Sequence, residues 1–232
     1  MIAVTFALES ESSDFVRLLH DTHRAPEEHT ITGRLEGQNV AVLHTGVGKI
    51  VAAARVAGFL SRVEPGTLIS AGFAGGLTDS CKPGDLIVAQ NFSAAKLHAA
   101  AKQLLASAVS ATLKTTSGIV DSSSSRSEIA RTHAADAVDM ETEFIADACA
   151  ARRIPMLSLR VISDTPTCPF PAPPHVLFDI EQQRTNLGAV AFYVATHPTT
   201  LVKFIRFGQQ IKLARGALTD ALATLVTSEL FS

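Results

Sequence analysis

The chain has 232 residues, 47% of them hydrophobic, and a formal net charge of −2. That is enough apolar material for a large core, and charges of both signs are interspersed, which leaves no electrostatic footprint for nucleic acid. The 3 cysteines, Cys81, Cys149 and Cys168, are widely spaced and odd in number, arguing against a disulfide framework and for a reducing, cytoplasmic setting. The apolar start is too short for a signal peptide, and no apolar run reaches the roughly 18 residues of a membrane span.

Residues 2–8 form a short run rich in β-formers, and 10–19 read as a helix. Residues 21–28 are polar, hold Pro26 and read as a loop. Residues 30–35 and 40–44, joined by Gly37-Gln38-Asn39, look like a hairpin. Gly46-Val47-Gly48 opens a helix to about Leu60, Pro65-Gly66 ends that unit, and 67–71 start a buried strand. Residues 72–77 read as a glycine-rich turn, 82–85 as another turn and 86–89 as a strand. The serine run 122–125 reads as a mobile loop, and the proline-dense stretch 165–174 as an extended, semi-rigid segment. Two helices follow, at about 184–195 and 200–227, separated by His197-Pro198-Thr199-Thr200. Strands alternating with helices predict one α/β domain spanning 1–232.

The stretch 137–164, AVDMETEFIADACAARRIPMLSLRVISD, carries the most chemistry. It reads as a strand end, a helix, a turn and a buried strand closing on Ser163-Asp164. In open α/β sheets ligands sit outside the carboxyl ends of strands, so Glu141 and Asp164 are expected at one pocket. Asp164 is either a turn-forming or capping aspartate or a general acid whose pKa apolar neighbours raise. Glu141 is either a helix-start acid favoured by the dipole or a ligand for substrate hydroxyls. Glu9 and Glu11 follow the first strand at the same sheet edge and are either helix-start acids of a solvated turn or carboxylates placed to activate water.

Other features admit plainer readings. Gly46-Val47-Gly48 lacks both the dinucleotide fingerprint and the P-loop pattern and reads as a tight turn. Residues 72–76 place small side chains where a flat ring can lie against the backbone. His20, His23 and His29 show no metal-ligand spacing, so neither a metal nor a cofactor is expected. Nothing near Cys168 in the sequence would depress its pKa. In the last helix, Leu201, Phe204, Ile205, Gly208 and Ile211 suggest a core-facing stripe beside a solvated basic face; membrane-surface contact is the alternative, and is not expected.

Six blocks then carry a resemblance: ALESE at 7–11, HTGVGK at 44–49, SAGFAGGL at 70–77, KPGDLIVA at 82–89, AVDMET at 137–142 and LRVISD at 159–164. In this order they resemble the nucleoside phosphorylase and nucleosidase family, in particular 5′-methylthioadenosine/S-adenosylhomocysteine nucleosidases. The resemblance implies a three-layer α/β/α domain whose central mixed sheet closes partly into a barrel. It also implies cleavage of the N-glycosidic bond of a purine nucleoside, in a homodimer or larger homo-oligomer. Asp164 matches the acid that acts on the leaving base, with Ser163 beside it, and Glu11 the glutamate that activates water. Glu141 matches the acid on the ribose hydroxyls, Met140 the side chain packed on the sugar, and Phe73, Ala74 and Gly75 the segment beside base and ribose.

Hydrolysis is expected over phosphorolysis. The positions where phosphorylases of this kind carry a serine and a basic residue look like Ser70 and Phe73 here, and acids crowd the N-terminal turn. Phosphorolysis, with phosphate as second substrate, and a non-catalytic nucleoside-binding protein are the alternatives. Residues 118–136 are shorter than the matching loop of methylthioadenosine nucleosidases and lack its adenine-stacking aromatic. The tail after Asp164 is longer and resembles that of the hopanoid-associated branch, whose members are described as acting on an adenosyl-lipid.

Overall fold

The computed structural model describes residues 1–179 and 183–231. The N-terminal part contains β1 (Ile2–Phe6), α1 (Glu9–Val16), β2 (His20–Ala25), β3 (Thr30–Leu35), β4 (Gln38–His44), α2 (Lys49–Arg62) and β5 (Thr67–Gly76). The middle adds β6 (Leu86–Ala89), α3 (Ala95–Leu104), β7 (Val109–Ala111), β8 (Leu113–Thr115), α4 (Ser123–His133), β9 (Ala137–Asp139), α5 (Thr142–Ala151) and β10 (Met156–Asp164). The tail contributes α6 (Pro174–Leu177), β11 (Phe178–Asp179), β12 (Arg184–Thr185), α7 (Leu187–Thr196) and α8 (Leu201–Val226).

The main sheet runs β2-β3-β4-β1-β5-β10-β6-β7, with β8 and β9 branching from β5. Its centre is parallel: β1 pairs with β4 and β5, and β5 with β10. Antiparallel pairs join β10 to β6 and β5 to β9. Because Thr112 alone separates β7 from β8, the path β5-β10-β6-β7 returns through β8 and β9 to β5. This end of the mixed sheet therefore curls on itself, as the expected partial barrel requires.

Helices cover both faces because the central strands alternate strictly between two cores. Val4, Val42, Ile69 and Leu159 face α1, α3 and the C-terminal half of α8. Ala3, Leu43, Leu68 and Met156 face α2 and α5. Burying a Leu or Ile side chain in this way contributes roughly 1.5–3 kcal/mol.

Four sequence expectations are corrected. Residues 20–25 are a strand and not a loop: the exposed, polar β2 pairs antiparallel with β3 as a sheet edge. Residues 72–76 are not a turn but the end of β5, because β10 and β9 supply hydrogen-bonding partners to Gly75 and Gly76. The serine run opens α4, with the Ser122 side chain accepting from Ser125 N–H. Finally, the stripe on α8 does not face the core as a whole, since Leu201 and Ile205 are about half exposed. Among the described residues no helix is long and apolar enough to cross a membrane.

Candidate active site

The carboxyl ends of β1, β5, β9 and β10 converge on one cavity of about 340 Å³. Eight of the residues expected at the site line it: Glu11, Phe73, Ala74, Gly75, Met140, Glu141, Ser163 and Asp164. A further set of apolar walls comes from the tail, through Phe170, Leu177, Phe178, Phe207 and Ile211. The proline-dense segment and α8 thus close the side of the pocket that the sheet leaves open. Glu9, by contrast, is exposed, and Glu143 lies by Lys114 at 3.8 Å.

Asp164 ends β10 and is buried together with Arg126 of α4. Arg126 Nη2 donates to Asp164 Oδ2, Arg126 Nη1 donates to the Gly76 carbonyl at 2.7 Å, and Ser163 Oγ donates to Asp164 Oδ1 at 2.6 Å. Burial pushes the Asp164 carboxyl above its ordinary range, while the Arg126 guanidinium and the Ser163 hydroxyl pull it back. Gly75 leaves room for this pair: a Cβ there would lie 3.3 Å from Arg126 Nη1 and 3.5 Å from Asp164 Oδ2.

Glu11 sits in the first turn of α1, its Oε2 accepting from Ala7 N–H at 3.2 Å. Burial lifts its pKa to about 7, against the opposing pull of Arg160. Glu141 precedes α5 at the cap position, not within the first turn as the sequence suggested, and its side chain leaves that helix altogether. Its Oε1 accepts from Gly48 N–H at 2.8 Å, at the N-terminus of α2, where a carboxylate is favoured. Burial and the nearby Asp139 nevertheless push Glu141 up to about 8.

Glu11 and Glu141 also wall a second cavity of about 20 Å³, together with Arg160, Phe73 and Gly72. A space of that size holds a single water. Gly72 matters here, because a Cβ at this position would lie 3.2 Å from Glu11 Oε2.

Two arginines were not anticipated from the sequence. Arg160, buried in β10, donates to Asp139 Oδ2 (3.1 Å), to Ser70 carbonyl and Oγ (2.6 and 2.8 Å), and to Thr142 Oγ1 (2.5 Å). Ser70 therefore serves Arg160, and Asp139 is tied into the same network. An arginine inside the apolar run LRVISD was a readable signal, since a buried guanidinium requires partners. Arg126 gave none: it follows a serine run and meets Asp164 38 positions later. Among the described residues no cluster of His, Cys, Asp or Glu is arranged to hold a metal ion.

Comparison with known proteins finds relatives in sequence and in fold. A 5′-methylthioadenosine/S-adenosylhomocysteine nucleosidase of Geobacillus sp. (strain WCH70) is 37% identical over 93 residues; the match spans 38% of this chain and 38% of that enzyme. The nucleosidase of the same name from Neisseria meningitidis, solved with methylthio-immucillin-A, superposes with a TM-score of 0.73 at 19% identity over 96% of both chains. Futalosine hydrolase of Helicobacter pylori gives a TM-score of 0.64 at 19% identity, over 70% of this chain and 87% of that one. At these identities the structural likeness is one of fold. The phosphorylase superfamily model matches residues 1–97 and 92–196, most of the length that builds the sheet and its cavity, and the chain belongs to that superfamily.

Proposed function

We propose that the protein hydrolyses the N-glycosidic bond of a purine nucleoside carrying an apolar group at the 5′ position. The observation that carries this reading is the water-sized cavity between Glu11, Glu141 and Arg160, opening beside the larger pocket that ends at Asp164. Glu11 takes a proton from the water as its oxygen bonds to the anomeric carbon and the bond to the purine nitrogen breaks. Glu141 accepts hydrogen bonds from the ribose hydroxyls, and Met140 packs on the sugar. Carboxylates around an oxocarbenium-like sugar stabilise its developing positive charge. Asp164 protonates or hydrogen-bonds the departing base, steadied by Ser163 and Arg126, while Phe73, Ala74 and Gly75 flank base and ribose.

The apolar walls Phe170, Leu177, Phe178, Phe207 and Ile211 then receive the 5′ group. Because α8 both packs on the sheet and lines the pocket, we treat the whole chain as one functional domain. Phosphorolysis is disfavoured by the acids crowding the water-sized cavity and by its volume of about 20 Å³, too small for phosphate.

The test is a panel of 5′-substituted adenosines, inosine and guanosine, with and without phosphate, scored for free base and for the sugar product. Free sugar without phosphate is expected, and Asp164→Asn is expected to lower base release by a factor on the order of 10²–10⁴ while nucleoside binding persists. Sugar 1-phosphate formed only with phosphate present would replace hydrolysis by phosphorolysis. No base release from any nucleoside would end the enzymatic reading.

A further inference from the structure

The helix α7, LGAVAFYVAT, carries no charged residue and yet has no buried residue. A helix that is apolar all round normally lies in a core or against an apolar phase. Its inner side meets a small satellite cluster, where Ala189, Val190 and Tyr193 pack with Phe204 against Val176 and Leu177. Its outer side does not: Leu187 and Phe192 are each 73% exposed. The first half of α8 repeats the pattern, since nothing from residue 201 to 213 is buried. Phe207, Gly208 and Ile211 of that half line the pocket, while Leu201, Val202, Ile205 and Leu213 point outward, Leu213 74% exposed.

Charge singles out what this face can meet. The protein as a whole is at −2, yet residues 183–219 contain no Asp or Glu. Lys203, Arg206 and Lys212 are exposed among the outward apolar side chains. A second copy docked through the same face would bring these cations no acid to meet, because a two-fold interface sets the same acid-free patch against itself. An anionic surface with an apolar interior satisfies both features at once. No helix among the described residues is long and apolar enough to cross a membrane, so the contact is one of lying on the surface.

We infer that α7 and the outward face of residues 201–213 form a docking surface for an anionic lipid bilayer. The apolar side chains enter the headgroup boundary and the lysines and arginine meet lipid phosphates. The inference does not depend on which bond the enzyme cleaves, because its residues lie outside the pocket lining.

The test uses the full chain with phosphatidylcholine vesicles, with and without phosphatidylglycerol. Sedimentation with the phosphatidylglycerol vesicles is expected, weakening as salt is raised, with little binding to phosphatidylcholine alone. Each basic residue replaced by serine should cost roughly five-fold in vesicle affinity, and Lys203, Arg206 and Lys212 together on the order of 100-fold. Leu201→Ser with Ile205→Ser should abolish sedimentation while base release from a soluble nucleoside is kept. The chain contains no tryptophan, so Phe192→Trp alone supplies a probe that is independent of these variants; its fluorescence should shift to the blue on adding phosphatidylglycerol vesicles. No sedimentation and no shift would overturn the inference. So would a dimer in lipid-free solution that Leu201→Ser with Ile205→Ser dissociates, which would assign this face to a second copy.

Discussion

Glu11→Gln should make the protein more stable and inactive together. The ordinary glutamate pKa of 4.5 is lifted to about 7 in the fold, chiefly by burial. Between those values the unfolded chain has lost the proton and the folded chain still holds it. The folded state then binds more protons, so stability falls as pH rises from about 4.5 and levels off above about 7. At about 1.4 kcal/mol per pH unit the full effect is about 3 kcal/mol, and solvent reaching the carboxylate through the pocket reduces it to about 1–3 kcal/mol. Glutamine keeps an oxygen to accept from Ala7 N–H but never ionises, so the variant escapes this loss. For a chain of this size each kcal/mol moves the melting midpoint by roughly 2–4 °C. Thermal melts of both proteins from pH 5 to pH 9 should therefore diverge upward, with the variant higher by roughly 2–12 °C at the alkaline end. Base release should fall by a factor on the order of 10²–10⁴, because the proposed water-activating group is gone. A variant melting at or below wild type at pH 9 would refute the claim that Glu11 is held at a cost.

Arg126→Met should destabilise the fold by about 3–5 kcal/mol in chemical denaturation, since it strands Asp164 without its cation, and adding Asp164→Asn should recover part of that loss. Phe207→Ala should raise KM roughly ten-fold for nucleosides bearing an apolar 5′ group, with kcat little changed and adenosine itself unaffected. Gly46→Ala should cost on the order of 1–3 kcal/mol in the same denaturation assay, because Gly46 has φ +74° and an added Cβ would lie 2.6 Å from Val51 Cγ1.

What could be read from the sequence follows from where the determining contacts lie. The β3–β4 hairpin and the buried β10 were legible, because alternation and apolar runs are local and the sheet only confirms them. The polar β2 was not, since HDTHRA becomes a strand only by pairing with β3. Likewise GFAGG reads as a turn from its glycines alone. Its extension into β5 depends on partners more than 60 positions away, on β9 and β10. The carboxylates of the site were legible because each lies at or shortly after a strand end, a position the chain advertises. Of their arginines, Arg160 was readable as a buried cation in need of partners and Arg126 was not, and which acid either meets is decided only when the elements pack.

That division also explains how four buried or half-buried acids can share one sheet edge. Asp139 and Asp164 each have a guanidinium in direct contact, Arg160 and Arg126 respectively. Glu11 and Glu141 have backbone N–H donors from Ala7 and Gly48. Arg160 reaches both only through its field, which lowers each pKa without overcoming burial. Burial leaves Glu11 and Glu141 titrating at about 7 and about 8, and both wall the water-sized cavity. Burial is the main cause in both, with Asp139 adding to the rise of each and Glu11 adding to that of Glu141. An empty pocket can then hold a proton on one glutamate without unfolding stress. In the reaction proposed above, a sugar hydrogen-bonded to Glu141 as a carboxylate would favour its ionised form and leave Glu11 as the place to store the proton taken from water.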